Sequence, residues 1–234
     1  MTDIILVHSS DLHVDNDPHQ NPYGEDGTTG LRVVLEAGKT HNADFVLLVG
    51  DVFDNNRQPP HILERSTALL ADAGRHVVIL PGNHDPVTPD SVYLRAAFAK
   101  LPHIHILGVT HDRSVEFPDF DLEFWGHAHI DYGDMVPLRT PKTRVARWHI
   151  ALAHGHYEED GAIPLRPSWL MSDAQIDATE ADYLALGHWN RPAQVGTGKV
   201  PAYYSGSPDL AKTVNVIRLT HNGRTEVSRE PIVW

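Results

Sequence analysis

The hydrophobic positions of this chain fall in short blocks, and each block runs straight into a polar cluster. Ile4-Ile5-Leu6-Val7 leads to Ser10-Asp11-Leu12-His13, residues 45–49 lead to Gly50-Asp51-Val52-Phe53-Asp54, and residues 77–80 lead to Gly82-Asn83-His84-Asp85. Apolar blocks this short, with no alternation, read as strands buried on both faces. Between them the period changes. Leu31, Val34, Leu35 and Gly38 have helical spacing, which predicts a helix over 31–41 capped by Thr28 or Thr29. Pro59-Pro60 opens a second helix with Ile62, Leu63, Leu69 and Leu70 on its apolar face. Strand and helix alternate, so a parallel sheet with right-handed crossovers is expected. Open sheets of this kind carry their chemistry at the carboxyl ends of the strands, where these polar clusters lie.

Further along, a helix is predicted over 92–101, then short strands at 104–107, 113–117 and 122–125. The apolar run 148–153 delivers Ala153-His154-Gly155-His156, and the run 182–186 delivers Gly187-His188-Trp189-Asn190. Residues 202–204 precede Ser205-Gly206-Ser207-Pro208. Strands at 214–219 and 225–228 flank His221-Asn222-Gly223-Arg224, a hairpin turn. Residues 14–29 and 164–170 have no period and read as loops. There is no linker and no repeat of solenoid length, so one domain over 1–234 is expected, α/β in class, with two sheets flanked by helices.

Composition narrows the chemistry. The chain has no cysteine, which removes disulfides, thiolate nucleophiles and Cys-based zinc sites. Its apolar runs are strand-length, and its start lacks the basic and small-residue pattern of a signal peptide, so a cytoplasmic location is expected and no membrane contact. A net charge of -12 argues against a broad basic surface for nucleic acid. Bound cations would reverse that field locally. Of the 17 histidines, those at 8, 13, 84, 127, 129, 154, 156 and 188 fall at or near strand ends; His19, His41, His61, His103, His111 and His221 read as surface residues.

As ligands, Asp11 and His13 can turn toward one ion from a single loop. Asp51 is a carboxylate able to bridge two ions, Asn83 offers an amide oxygen, and His154 and His188 offer ring nitrogens. This nitrogen-and-oxygen set without sulfur suits Mn²⁺, Fe or Zn²⁺ better than Ca²⁺ or Mg²⁺. Two such ions would activate water and take up charge during phosphate ester hydrolysis. His84 is the candidate general acid at the leaving oxygen, oriented by Asp54 or Asp85.

Taken in order, Asp-x-His, Gly-Asp-x-x-Asp, Gly-Asn-His-Asp, a lone His and Gly-His resemble the calcineurin-like metallophosphoesterase superfamily over about residues 4–208. Gly50-Asp51-Val52-Phe53-Asp54, Leu152-Ala153-His154-Gly155-His156-Tyr157 and Tyr203-Tyr204-Ser205-Gly206-Ser207-Pro208 are similar to the SbcD-type DNA repair nucleases. Asn55-Asn56 stand where the phosphoprotein phosphatases carry an Arg. The resemblance implies a four-layer α/β/β/α sandwich of two mixed sheets flanked by helices. It implies one metal on Asp11, His13 and Asp51, and a second on Asp51, Asn83, His154 and His188. The family's last motif ends in His, which belongs to the first metal; here Asn190 occupies that place, a harder and weaker ligand that favours Mn²⁺. Gly126-His127-Ala128-His129 matches the last motif by letter but precedes His154, so 187–190 is taken as the motif, and His127 and His129 as ordinary loop histidines, the alternative being rim residues that touch substrate. His156, Tyr157 and Arg191 are candidate substrate contacts. Those nucleases also carry a DNA-binding cap and an ATPase-docking segment, which are not expected here, nor is an ATPase partner.

The function expected is a Mn²⁺-dependent nuclease on single-stranded DNA in DNA repair. The alternatives are a phosphodiesterase or phosphatase of small nucleotides, and a metal-free scaffold of the same fold.

Overall fold

The computed structural model describes residues 2–15, 27–159 and 168–234. Most of the two aperiodic stretches, and His19 with them, lie outside the described residues. Five strands or helices at the start alternate as the hydrophobic period demands: β1 (Ile4–Ser9), α1 (Thr29–Thr40), β2 (Phe45–Val49), α2 (Pro60–Ala71) and β3 (His76–Leu80). Then come α3 (Val92–Arg95), β4 (Ile104–Ile106), β5 (Ser114–Phe117), β6 (Leu122–Gly126), β7 (Trp148–His154), β8 (His156–Tyr157), β9 (Leu170–Met171) and α4 (Asp173–Ala178). The chain closes with β10 (Tyr183–Gly187), β11 (Ala193–Val195), β12 (Ala202–Tyr204), α5 (Pro208–Ala211), β13 (Thr213–Leu219) and β14 (Thr225–Pro231).

Among the described residues these strands form two mixed six-stranded sheets, ordered β14-β13-β1-β2-β3-β4 and β11-β12-β10-β7-β6-β5. The run from β1 to β4 is parallel, as is the run β6-β7-β10-β12. Successive side chains on a strand point to opposite faces, and the sequence is apolar on both. In β2, Phe45, Leu47 and Val49 face the other sheet and meet Phe124, Ile150, Leu152, Tyr183 and Ala185. Val46 and Leu48 face outward and pack with Leu31 and Val34 of α1 and Ile62 and Leu70 of α2. The outer face of the second sheet packs Ala151, Ala153, Leu184 and Leu186 against Met171 and Ile176. Two covered sheets stacked face to face explain why the apolar blocks do not alternate: neither face of the central strands meets water.

Three elements differ from the pattern read along the chain. The helix expected over 92–101 ends at Arg95; Ala96 is extended (ψ 143°), and a 3-10 turn follows over Ala97–Lys100. The break lets Phe98 lie parallel to Phe53, with ring centroids 6.0 Å apart, in the fully buried core. Core packing wins over helix propensity here. Strand β7 runs one residue further than its apolar block, so His154 itself is a strand residue. Leu170–Met171, at the end of an expected loop, pairs in parallel with His156–Tyr157. No helix among the described residues is long and apolar enough to cross a membrane.

Candidate metal centre

The loops that follow β1, β2, β3, β7 and β10 meet at one edge of the two sheets, because these strands run parallel within each sheet. Asp11, His13, Asp51 and His188 all have left-handed backbones, with φ of 55°, 45°, 51° and 101°. Residues with a Cβ adopt this region at a cost, and persist in it where the surroundings hold them. The holding bonds are visible: Asp11 N donates to Gly50 O (3.1 Å), His13 N to Asp51 O (3.0 Å) and Asp54 N to Val14 O (3.1 Å). The loop after β3 crosses so close above Asp51 that a Cβ on Gly82 would collide with Asp51 Oδ1.

Asp51 is the hub. Its Oδ1 accepts from the His84 N–H at 2.9 Å, and its Oδ2 lies 3.1 Å from His154 Nε2. That same Nε2 is 3.0 Å from Asn83 Oδ1. His154 Nδ1 donates to the Val49 carbonyl at 3.0 Å, so the ring presents Nε2 to the cluster. An imidazole whose far nitrogen is tied to a carbonyl is the usual arrangement for a metal ligand. Asp11 Oδ2 accepts from Ser10 Oγ (2.5 Å) and from the His188 N–H (3.0 Å), and Ser10 Oγ also meets Ser205 Oγ at 3.0 Å.

Among the described residues, three groups of potential ligands each have their atoms within 4.8 Å of one another: Asp11, His13 and Asp51 share Asp51 with a group of Asp51, His154 and His188, and share His13 with a group of His13, Asp54 and His84 at the mouth. In the two groups that share Asp51 the donor atoms are oxygens and imidazole nitrogens, buried on Asp11, Asp51 and His154 and half-buried on His13 and His188, with one carboxylate common to both. This fits a pair of divalent ions bridged by Asp51, with Asn83 as an added oxygen donor on the His154 side.

The electrostatics agree. Burial alone would push the Asp51 carboxyl up, but the charges of His154, His84 and His13 hold it well below the usual carboxylate range. Burial opposes charge on His154 too, yet Asp51 and Asp11 raise it to about 9. His13 is likewise raised to about 9 against its burial, by Asp54, Asp51 and Asp11. Asp11 is raised, mainly by burial and then by the charge of Asp51. The buried carboxylates favour positive charge at this spot.

His84 stands at the mouth, 45% exposed, its ring edge-on to His13 with centroids 4.9 Å apart. Its Nδ1 lies 2.9 Å from the main-chain carbonyl of Asp54 and 4.0 Å from that residue's Oδ1. The Asp54 carboxylate is nearer His13, at 3.3 Å. Asp54 thus orients His84 through its backbone. Asp85, the other candidate for that task, is fully buried and accepts from Gly82 N (2.7 Å), Phe53 N (3.0 Å) and Tyr93 Oη (2.6 Å), which places it beneath the loop instead.

The remaining candidates sit further out. Asn190 is exposed, and its carbonyl accepts from Ser207 N at 3.2 Å. His156 Nδ1 accepts from Trp189 Nε1 (2.9 Å), Tyr157 Oη donates to Asp173 Oδ1 (2.8 Å), and Arg191 is exposed. Trp189 stacks on Tyr204 with centroids 4.3 Å apart. His127 and His129 lie on the loop after β6, as expected, yet both are buried, and His129 Nε2 donates to the His154 carbonyl at 3.0 Å. Trp169 escaped the sequence reading. Its ring is edge-on to His188 and His129, with centroids 5.5 and 5.7 Å away. It arrives from a stretch with no periodic signal.

The family model described as Calcineurin-like phosphoesterase matches residues 5–192. The chain is 32% identical to the SbcD component of nuclease SbcCD of Escherichia coli (strain K12) over 242 residues, covering 87% of this chain and 60% of that protein. It is 23% identical to the DNA double-strand break repair protein Mre11 of Archaeoglobus fulgidus over 237 residues, covering 91% of this chain and 52% of that protein. The chain therefore spans a little over half the length of these relatives. In fold it is similar to TT1561 of Thermus thermophilus (TM-score 0.60, 14% identity, 98% of this chain and 99% of that one). It is also similar to a dimetal phosphatase from Danio rerio (TM-score 0.54, 11% identity, 98% and 99%).

Proposed function

The chain is a hydrolase of the calcineurin-like phosphoesterase family, and from that premise we propose that it is a Mn²⁺-dependent nuclease acting on single-stranded DNA in DNA repair. The observation that carries the reading is the sharing of Asp51 by two ligand groups, with His84 exposed beside it.

Asp11, His13 and Asp51 would hold one ion, and Asp51, Asn83, His154 and His188 the other. Bound there, a pair of divalent ions supplies an activated water near neutral pH and neutralises the charge of phosphoryl transfer. The protein's own groups do the rest. The Val49 carbonyl fixes the His154 ring, and Ser10 Oγ and the His188 N–H fix the Asp11 carboxylate. His84, steadied at Nδ1 by the Asp54 carbonyl, hands a proton from Nε2 to the leaving oxygen when it is in its imidazolium form. Manganese is the proposed ion, with iron and zinc the others such a donor set accepts.

DNA as substrate is supported by the names of the relatives, a nuclease component and a double-strand break repair protein. The strand preference is supported by the net charge of -12, which disfavours a long duplex, and by a ligand set of which Asp11, Asp51 and His154 lie buried at the sheet edge. His156, Tyr157 and Arg191 are proposed to touch the substrate, and Asn190 to complete the first ion's surroundings. Action in the cytoplasm belongs to the same proposal; the Escherichia coli relative is by name one subunit of nuclease SbcCD.

The test is hydrolysis of bis(p-nitrophenyl) phosphate by metal-stripped protein with ions added back. Activity restored by Mn²⁺ and absent from Asp51→Ala is expected. Hydrolysis that ignores metal, or is confined to monoesters, contradicts the reading.

A further inference from the structure

Next to the ligand cluster lies a cavity of about 240 Å³, whose walls include Leu12, His13, Gly30, Asp54, Asp209 and Trp234. None of the metal, acid or substrate roles above uses Asp209 or Trp234. We propose that this cavity receives the nucleoside that leaves beside His84, with Trp234 stacking on the base and Asp209 accepting hydrogen bonds from its N–H groups. The proposal rests on the phosphodiesterase reading and names the part of the substrate that this flank of the site holds.

Position comes first. The proton donor His84 has His13 as its ring neighbour, 4.9 Å away, and Asp54 as its hydrogen-bond partner. Both neighbours are walls of the cavity. A group departing beside His84 therefore has the cavity on its way out.

Charge decides the kind of occupant. Asp54 and Asp209, carboxylates given to neither ion, border the space, so a second phosphate is repelled from it. A carboxylate accepts and never donates, so the favoured guest is neutral and offers N–H or O–H groups. In its wall His13 and Asp54 converge with His84 within 4.8 Å, whereas Asp209 belongs to no such group among the described residues, so the end of the cavity bounded by Asp209 and Trp234 is not a cation site of that kind.

Shape and the aromatic wall point to a base. The volume is just under the roughly 300 Å³ at which pockets for drug-sized ligands begin, room for one nucleoside and not for several. An indole beside a backbone-binding site is the usual platform for an unpaired base. Trp234 is held in place: Ile232 N donates to Lys212 O at 3.0 Å, Lys212 Nζ sits 4.1 Å from the indole centroid, and the ring packs on the core of the first sheet. Guanine, with two adjacent N–H donors on one edge, matches a single carboxylate best.

Two measurements test this on the full chain. The first is cleavage of the dinucleotides d(TpG) and d(GpT) beside bis(p-nitrophenyl) phosphate, in wild type, Trp234→Ala, Trp234→Phe and Asp209→Asn. Trp234→Ala and Asp209→Asn should each raise KM about tenfold on the dinucleotide that places guanosine on the leaving side. The aryl diester offers Asp209 no N–H, so Asp209→Asn should leave it unaffected, and Trp234→Phe should retain most of the dinucleotide activity. Equal losses on both substrates in Asp209→Asn, or no loss on either dinucleotide, overturn the proposal. The second is binding of free deoxyguanosine, followed by saturation-transfer NMR, which needs neither metal nor turnover. A deoxyguanosine signal that disappears in both Trp234→Ala and Asp209→Asn supports the cavity even if no dinucleotide is cut, in which case the nuclease reading alone fails. Wild type that hydrolyses the aryl diester but shows no deoxyguanosine signal overturns the cavity and leaves the esterase reading standing.

Discussion

His154 and Val49 are 105 residues apart in the chain and are joined by one hydrogen bond, Nδ1 to carbonyl, at 3.0 Å. The bond crosses from β7 in one sheet to the end of β2 in the other. It sets which nitrogen of His154 faces Asp51 and Asn83, so it ties the packing of the two sheets to the chemistry between them.

Gly187→Ala tests that tie. A Cβ at 187 would collide with the Val49 oxygen and lie 2.7 Å from His154 Nδ1, between acceptor and donor. The variant should lose affinity for one ion by about 10–100-fold, the range for disturbing a partner of a metal ligand. Manganese titration calorimetry reads this directly. Unchanged affinity at both sites would mean that the ring is held by something else.

His84→Asn separates proton donation from metal binding. The ion content should stay at the wild-type value. Turnover of alkyl diesters such as dinucleotides should fall by about 100-fold or more, while an aryl diester, whose leaving group needs no proton, should lose less than about tenfold. Equal losses on both substrates would remove His84 as the acid.

Asp85 is predicted to be a matter of stability. Asp85→Ala strands the buried donors Gly82 N, Phe53 N and Tyr93 Oη, each of which costs on the order of 1–3 kcal/mol when left unpaired. Tyr93→Phe removes only one of them, so urea denaturation should show a loss of about 1 kcal/mol for Tyr93→Phe and about 3 kcal/mol or more for Asp85→Ala. Similar losses in the two variants would show that the carboxylate does not organise the Gly82 loop.

His8 predicts an acid sensitivity that does not involve the metal ligands. It is fully buried against Tyr183 Oη (2.9 Å), and burial lowers it to about 3. The unfolded chain takes up this proton below its ordinary value near 6.5 and the folded chain does not. The neutral ring's contribution is therefore complete above about pH 6.5 and is lost as the pH falls toward 3. By pH 5 the loss from this residue is on the order of 2 kcal/mol. Comparing His8→Gln with wild type across pH 7 to 5, by thermal melts, should show a flatter profile in the variant. Parallel profiles would contradict this account.

Much of this was legible along the chain because it is local. Asp51 and Asn83 follow unbroken apolar runs, so a strand end and its polar loop are read together, and the layers follow from strands with no polar face. What escaped depends on contacts between distant segments. Asp85 reads like a partner for its neighbour His84, yet it turns to Tyr93 and Phe53 once the loop folds. The helical pattern at 92–101 carries no mark of the break at Ala96, which exists so that Phe98 can reach Phe53. Asp209 and Trp234 look like a helix-start acid and a trailing aromatic, and only the meeting of α5, α1 and the first loop brings them to the site. His127 and His129 share their letters with a ligand motif, but the loop after β6 that carries them buries both and sets His129 against the His154 carbonyl.

The central claim is metal-dependent cleavage of single-stranded DNA at a centre built around Asp51. It is tested most directly by incubating a circular single-stranded DNA with metal-stripped protein plus Mn²⁺, plus Mg²⁺ or with no ion, beside Asp51→Ala. Linearisation and fragmentation with Mn²⁺, weaker or absent with Mg²⁺ and absent in the variant, is the predicted result. An intact circle under every condition, with bis(p-nitrophenyl) phosphate still hydrolysed, would contradict the nuclease and leave an esterase of small phosphate esters.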